Sequence, residues 1–444
     1  YKCELNKKLV NYIFLKLGIF IHKMNFLTNE YKCAEAWNNM NSSPVFNKIN
    51  MHDFYNVLDQ NYASKGVISA IDVDMFANAI KDPSHLEELK DLLHKLRTTA
   101  ETGNMLDSTQ QATVRNFIEF GDVKELVEIL KDPLNFGVFL DDYTANILLD
   151  KLITLPDLEL AARVASLIML QEEYNNEITC TLCQYACYKY ISNYTVTPPE
   201  PTPPTEKNKK VEEIKIRVKY LRNPFFDDHF DIKDTLTLSG KTLAWISERA
   251  PNNLNNNLQV IGWLVYKKYD KLLAFSEQIT NEKSFKVYKE VLELLQKETA
   301  GAEGELKATL ENCITKLGKS ELNSEDKSLE ESLKDAIENA INKSHTNDIS
   351  QQKQLFQSWA KLREEKLEEQ AQRLDRARRI QLIQQNQNEM KDQEQKLWFF
   401  DNEEQLDLQI EEKEKLVDKT VSKKTAAKTS DENYIPPEIR PKRK

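Results

Sequence analysis

Residues 137–170 read GVFLDDYTANILLDKLITLPDLELAARVASLIML, and this stretch decides the fold. Its apolar residues recur at i, i+3 and i+4 spacing on both sides of a break at Pro156-Asp157, which is typical of two amphipathic helices joined by a turn. A single helix pair cannot bury its apolar face without neighbours. The stretch therefore predicts a helical hairpin that packs between similar hairpins.

The sequence around this hairpin repeats its pattern. Polar residues suited to begin the first helix of each pair follow one another at steps of 35, 34 and 35 residues. They are Asp72, Asp107, Asp141 and Asn176. A fixed period in this range is typical of helical-repeat arrays, in which stacked hairpins share one core. We therefore predict an all-α fold that contains a degenerate helical-repeat solenoid.

Composition and missing motifs exclude several classes of protein. Only 10 of the 444 residues are glycine, which disfavours β-rich folds and Gly-rich nucleotide-binding folds. The sequence contains no Walker A, G-x-S-x-G or H-E-x-x-H motif, and no apolar stretch approaches the about 18 residues of a membrane span. We expect a protein that is not an enzyme, needs no cofactor and does not insert into a membrane.

Changes in composition divide the chain into segments. A proline-rich stretch separates the repeats from further helices, expected at about 238–248, 254–279, 283–298 and 303–318, and a polar stretch without proline or glycine follows. The predicted segments are a possible transit or upstream segment at 1–30, a helical-repeat domain at 31–194, a Pro-rich linker at 195–213, a second helical region with an extended arm at 214–348, a long charged helix or coiled coil at 349–415, and a disordered basic tail at 416–444.

Two clusters carry side chains that are capable of binding metal. Cys180, Cys183 and Cys187 have a spacing compatible with zinc or an iron–sulfur cluster, but on a helix they also share one face. We favour core packing, because no fourth ligand lies nearby. Residues 223–231, NPFFDDHFD, offer acids and a histidine, and a capped turn anchored by phenylalanines is the favoured interpretation.

Charge is distributed unevenly along the chain. The whole chain has a net charge of −10, and residues 66–175 hold nine basic and twenty acidic residues, a net charge of −11. Basic islands lie outside this block, at 205–223, at 373–379 and in the tail from 418, and lysine and arginine are the residues that contact phosphate. The candidate RNA-binding residues are Lys215, Arg217, Lys219, Arg222, Arg373, Arg376, Arg378 and Arg379. A solvated helix face and a solubilising tail are the alternative interpretations.

Two resemblances arise from these residues. The stretch Gly137-Val-Phe-Leu-Asp141 followed by Thr144-Ala-Asn-Ile-Leu-Leu149 resembles the pentatricopeptide repeat, with Leu140 in place of its proline. Four features follow one another along the chain: YKCAEAW at 31–37, these repeats, NPFFDDHFD at 223–231 leading to GKTL at 240–243, and QSW at 357–359. Together they resemble the mitochondrial small-subunit ribosomal protein twenty-seven family over roughly 25–415.

That resemblance implies a non-catalytic component of the small subunit of the mitochondrial ribosome. It implies contacts with small-subunit ribosomal RNA and with other mitochondrial ribosomal proteins, and a location in the mitochondrial matrix, bound to the ribosome. Two alternatives remain open at this stage. One is a free mitochondrial RNA-processing or stability factor that reads single strands with its repeats, and the other is a coiled-coil adaptor.

Overall fold

A computed structural model of the chain describes residues 25–155, 157–194, 232–280, 285–318, 321–322, 327–397 and 402–432. Within these residues the protein is built from α-helices, with short 3-10 turns and one two-residue parallel strand pair, β1 (Lys286–Val287) with β2 (Glu321–Leu322). The predicted all-α class is confirmed. The helices are α1 (Ala34–Asn41), α2 (Met51–Lys65), α3 (Ala70–Ala79), α4 (Leu86–Arg97), α5 (Asp107–Phe120), α6 (Val123–Lys131), α7 (Asp142–Thr154), α8 (Leu158–Gln171), α9 (Glu177–Asn193), α10 (Thr235–Arg249), α11 (Asn253–Val265), α12 (Tyr269–Thr280), α13 (Lys289–Gly301), α14 (Glu305–Leu317), α15 (Leu329–Leu397) and α16 (Glu403–Glu432).

The first helices of the pairs, α3, α5, α7 and α9, pack side by side, and each of the first three also packs on the helix that follows it. Asp141 and Asn176 cap α7 and α9 as the sequence suggests, accepting hydrogen bonds from the backbone N–H groups of Thr144 (3.2 Å) and Ile178 (2.9 Å). The expected cap at Asp72 is wrong, because α3 begins after Ser69 and Asp72 lies inside its first turn. An acidic residue is favourable there without capping, since it faces the positive end of the helix dipole.

Two glycines allow α10 and α11 to approach each other closely. A Cβ atom added at Gly240 would lie 2.7 Å from the backbone nitrogen of Tyr266, and one added at Gly262 would lie 2.5 Å from that of Ala244. Any side chain at either position would force the two backbones apart. The GKTL stretch at 240–243 is thus a point of tight helix packing.

The single helix expected at 254–279 is wrong, because the structure has two helices, α11 and α12. Lys267 between them has a φ of 60°, in the left-handed region. The N–H of Lys268 donates to the carbonyl of Trp263 (3.1 Å) and the N–H of Lys267 to that of Leu264 (3.1 Å), which together form a Schellman motif. Glycine usually occupies the left-handed position of this motif, so a lysine there hid the break from sequence analysis.

The chain divides into two compact units, 1–363 and 364–444. The predicted border between the helical-repeat domain and the second helical region does not divide the structure into two cores. Helix α10 of the second region packs against both α8 and α9 of the first. Gln184 of α9 donates to the hydroxyl of Ser247 and to the amide oxygen of Asn255, both at 3.1 Å. These buried hydrogen bonds make the two regions parts of one core.

Three predicted segment limits need correction. Residues 25–30, assigned to a leader, are folded, since Leu27 is buried against the repeats. The long helix begins at Leu329 rather than at 349, because Leu329, Leu333 and Ile337 continue its apolar stripe into the core. Helix α16 continues to Glu432, into the segment predicted as disordered from 416, because no proline or glycine interrupts the sequence before Pro436. Among the described helices, none is long and apolar enough to cross a membrane.

Candidate nucleic-acid interface

The predicted RNA-binding residues fall into two groups. Lys215, Arg217, Lys219 and Arg222 lie outside the described residues, as does the NPFFDDHFD stretch. Arg373, Arg376, Arg378 and Arg379 lie on α15 in the second unit, where all four are exposed.

Three of the four arginines share one side of the helix. Arg373, Arg376 and Arg379 follow one another at i, i+3 spacing, whereas Arg378 projects elsewhere. Arg379 pairs with Asp375 at 2.9 Å, and Arg373 lies 3.8 Å from Glu369. Exposed pairs of this kind contribute little energy and exchange readily for another anion. The shared side is thus chemically suited to phosphate oxygens.

In the first unit, the first helices present a common surface, which we call the first-helix face. Its polar and aromatic residues are Asp74, Asn78, Gln111, Arg115, Tyr143, Asn146, Asp150, Asn176 and Glu177. In a free repeat array such a surface would be open to a ligand. Here two other segments of the chain lie on it.

The first of these segments is residues 25–37. Tyr31 stacks on Tyr143 with ring centroids 5.3 Å apart, and its hydroxyl accepts a hydrogen bond from Asn146 at 2.9 Å. The Oδ1 of Asp150 accepts from the backbone N–H groups of Phe26 (2.8 Å) and Leu27 (3.3 Å). Side chains of α7 therefore hold the backbone of this segment in place.

The second segment is the first half of α15, from Leu329 to Arg363. Asp348 accepts hydrogen bonds from Asn176 of α9 and from Tyr31, both at 3.1 Å. Further along, Gln352 donates to Gln111 of α5 at 3.1 Å. The helix thus contacts successive first helices from α9 back towards α3.

The last contact is a buried ion pair between Arg363 and Asp74. Arg363 Nε lies 2.6 Å from Asp74 Oδ2, and the two side chains are 5% and 0% exposed. Asp74 also accepts hydrogen bonds from Ser108, Thr109 (2.9 Å) and Asn78 (3.0 Å). The carboxylate is therefore fully engaged within the protein and offers nothing to an external ligand.

Burial changes the ionisation of several groups on this face. It raises the pKa of Tyr31 and of Tyr143 far above the ordinary value, and it raises the pKa of the Asp141 and Asp150 carboxyls. Each of these groups has hydrogen-bond partners inside the protein. The perturbed groups therefore mark a packed interior rather than a reactive centre.

The cysteine cluster lies on α9. Cys183 and Cys187 are buried, and burial raises the pKa of Cys180 to about 12, so the thiols are held in their neutral form. Among the described residues no group of three or more His, Cys, Asp or Glu side chains is arranged to hold a metal ion. The geometry of these cysteines is that of core residues.

The polar residues that close the first-helix face carry little signal in the sequence. Asp74 interrupts the apolar helix AIDVDMFANA, and Arg363 is one basic residue among many on a charged helix. An acidic residue at a core position was the available signal, because such a residue needs a buried partner. The identity of that partner, 289 residues away, follows only from the fold.

Comparison with known families gives one match. The family model described as mitochondrial 28S ribosomal protein S27 matches residues 5–389. This range includes the repeat helices, the segment that lies on the first-helix face and the arginines of α15. Because the match covers most of the sequence, the chain belongs to the mitochondrial 28S ribosomal protein S27 family.

Proposed function

We propose that this protein is a structural, non-catalytic component of the small subunit of the mitochondrial ribosome, bound to it in the matrix and contacting small-subunit RNA and neighbouring proteins. Family membership supports a mitochondrial small-subunit ribosomal protein. The closed first-helix face is the observation that carries the rest. A repeat array whose polar face is filled by its own chain acts as a rigid body rather than as a reader of bases.

In this proposal the helical repeats form a degenerate solenoid of pentatricopeptide type. The exposed arginines Arg373, Arg376, Arg378 and Arg379 contact the RNA backbone, together with Lys215, Arg217, Lys219 and Arg222 of the basic arm. Such contacts recognise charge and shape without a base code. Most of the acidic block at 66–175, which has a net charge of −11, faces protein neighbours, since its acidic side chains repel RNA.

The alternative of a free RNA-processing factor is less well supported. It requires accessible polar residues at matching positions of successive repeats, and Asp74, Gln111 and Asn146 are all buried here. A coiled-coil adaptor needs a regular heptad seam. The apolar residues of α15 beyond Arg363 are spread around the helix, with Leu374, Ile380 and Leu382 all at least half exposed.

Sedimentation of detergent-lysed mitochondria tests the proposal. The chain should migrate with small-subunit RNA in a sucrose gradient, and it should follow that RNA when ribosomes are dissociated by magnesium chelation. Migration near the top of the gradient, unaffected by dissociation, would reject the ribosomal role. Replacing Arg373, Arg376, Arg378 and Arg379 with glutamine should weaken incorporation, and unchanged incorporation would remove these residues from the proposed RNA contact.

A further inference from the structure

A cleft of about 480 Å³ opens in the first unit between α5, α7 and the segment that begins at Asn25. Its walls include the apolar side chains Ile118, Ile147 and Leu155. Its polar lining includes three cations, Lys32, Arg115 and Lys151. The volume lies in the range of pockets that bind small groups.

Unlike these three cations, several basic residues of the repeat block form ion pairs with carboxylates. Lys90 pairs with Glu125 at 2.5 Å, Lys95 with Asp59 at 2.6 Å and Arg163 with Glu159 at 2.7 Å. Among the described residues, no carboxylate lies within ion-pairing distance of Lys32, Arg115 or Lys151. Arg115 and Lys151 belong to the block that holds twenty acids and nine bases, and Lys32 joins them at the cleft from outside that block.

The protein itself positions two of the cations. Arg115 packs over the ring of Trp37 at 4.6 Å and donates to the carbonyl of Lys32 at 3.0 Å, which fixes the plane of its guanidinium. Lys151 donates to the carbonyl of Ile118 in the last turn of α5, so its ammonium group is held at the cleft. Each group retains further N–H donors after these bonds.

The electrostatics of the cleft favour an anion. Burial, and then the nearby charge of Lys32, lower the pKa of Lys151, and the negative charge of a bound anion would oppose this lowering. Two acids also line the cleft. Asp150 is occupied by the backbone N–H groups of Phe26 and Leu27, and Glu119 is exposed. The lining therefore retains a net positive charge within an acidic surface.

We propose that Lys32, Arg115 and Lys151 bind a phosphate group of an RNA backbone in this cleft. This inference rests on the proposed ribosomal function, which supplies RNA as the neighbour. A phosphate presents several acceptor oxygens and matches donors converging from different elements, whereas a carboxylate presents two. Residues 1–23 carry five lysines and a single acid, so their charge does not complement the cleft.

Salt-dependent binding of a fluorescent single-stranded oligoribonucleotide to the full-length protein tests the site. For Lys32→Gln with Lys151→Gln, the slope of log affinity against log salt should fall by up to about 0.7, since the cleft binds one phosphate and each phosphate contact contributes about 0.7 for a single strand. The matched control is Lys90→Gln with Lys131→Gln, which removes the same charge from paired lysines of the same block. Equal slopes for the two double variants would overturn the proposal. Lys151→Arg, which retains the charge, should bind like the wild type, and a thermal melt checks that each variant is folded.

A residue-level measurement separates the possible partners. Amine acylation followed by mass spectrometry should show Lys32 and Lys151 protected several-fold by the oligoribonucleotide, with Lys131 unchanged. A polyglutamate peptide of equal length serves as the competing probe. Protection by the peptide but not by RNA would overturn the proposal in favour of an acidic protein partner. RNA protection in a chain that does not sediment with the small subunit would reject the ribosomal role while retaining the site.

Discussion

Within the described part of the chain, two Asp–Arg pairs of similar length lie in opposite surroundings. Arg363 and Asp74 meet at 2.6 Å with side chains 5% and 0% exposed, and Arg379 and Asp375 meet at 2.9 Å with side chains 67% and 64% exposed. Both pairs involve α15, but the first closes the first-helix face of one unit and the second lies on the open surface of the other. Distance alone does not distinguish the roles of the two pairs.

The two pairs differ in how far their charges are exposed to solvent. In the buried pair each charge has left water, and the loss is offset only while the partner and the surrounding hydroxyl and amide donors stay in place. In the exposed pair each charge keeps its hydration, so the pair can open for an external anion. The buried pair therefore serves structure, and the exposed pair is available for binding.

The largest expected effect comes from breaking the buried pair. Arg363→Met leaves the buried Asp74 without its cationic partner, so the free energy of unfolding should fall by about 3–5 kcal/mol. Adding Asp74→Asn should recover much of this loss, because a neutral amide can still accept hydrogen bonds from Ser108 and Thr109. Chemical denaturation monitored by circular dichroism measures both changes.

Lys366→Met, one turn further along α15, is the control for this experiment, since Lys366 is 44% exposed and pairs with the exposed Glu369. Its effect should stay within about 0.5 kcal/mol. Equal effects of Arg363→Met and Lys366→Met would mean that the buried pair does not hold α15 on the repeats.

Local patterns predicted much of this fold. The apolar stripe of residues 137–170 is sufficient to predict a helical hairpin, because helix periodicity depends on residues three and four positions apart. The helix caps at Asp141 and Asn176 could be predicted for the same reason, because each depends on residues close to it in the sequence. The lysine in the Schellman motif and the helical continuation to Glu432 were missed because neither carries a distinctive residue.

The arrangement of the charged side chains could be predicted only in part. The cluster of arginines on α15 could be predicted from the sequence, because residues that are close together along a helix are also close together in space. The closure of the first-helix face joins Tyr31, Asn146 and Asp348, and the cleft joins Lys32, Arg115 and Lys151. Contacts between residues so far apart in sequence depend on the packing of whole helices, which periodicity does not specify.

A second prediction concerns the buried phenols of the closed face. The pKa of Tyr143 is raised by burial, so above pH 10 its phenol ionises in the unfolded chain but not in the folded protein. The unfolded state then binds fewer protons, and the free energy of unfolding falls as pH rises, by up to about 1.4 kcal/mol per pH unit for this group. Urea titrations between pH 10 and 11.5 should show a shallower decline for Tyr143→Phe than for the wild type.

Tyr31→Phe should act in the same direction, because burial raises the pKa of Tyr31 as well. Residues 364–397 contain no tyrosine, so the exposed half of α15 does not contribute to this pH dependence. An unchanged slope in both variants would indicate that these phenols ionise in the folded protein, and that the face over Tyr31 and Tyr143 is open to solvent.

The smallest expected effect comes from breaking the exposed pair. Arg379→Gln removes an i, i+4 pair on a solvated helix, so the free energy of unfolding should change by about 0.3–0.5 kcal/mol or less. The same substitution should lower the salt dependence of RNA binding by the amount of one phosphate contact, about 0.7 for a single strand. A stability loss like that of Arg363→Met would place Arg379 in a packed interior, and an unchanged salt slope would limit its role to helix solubility. A small stability change with a reduced slope would confirm that the same type of ion pair serves structure when buried and binding when exposed.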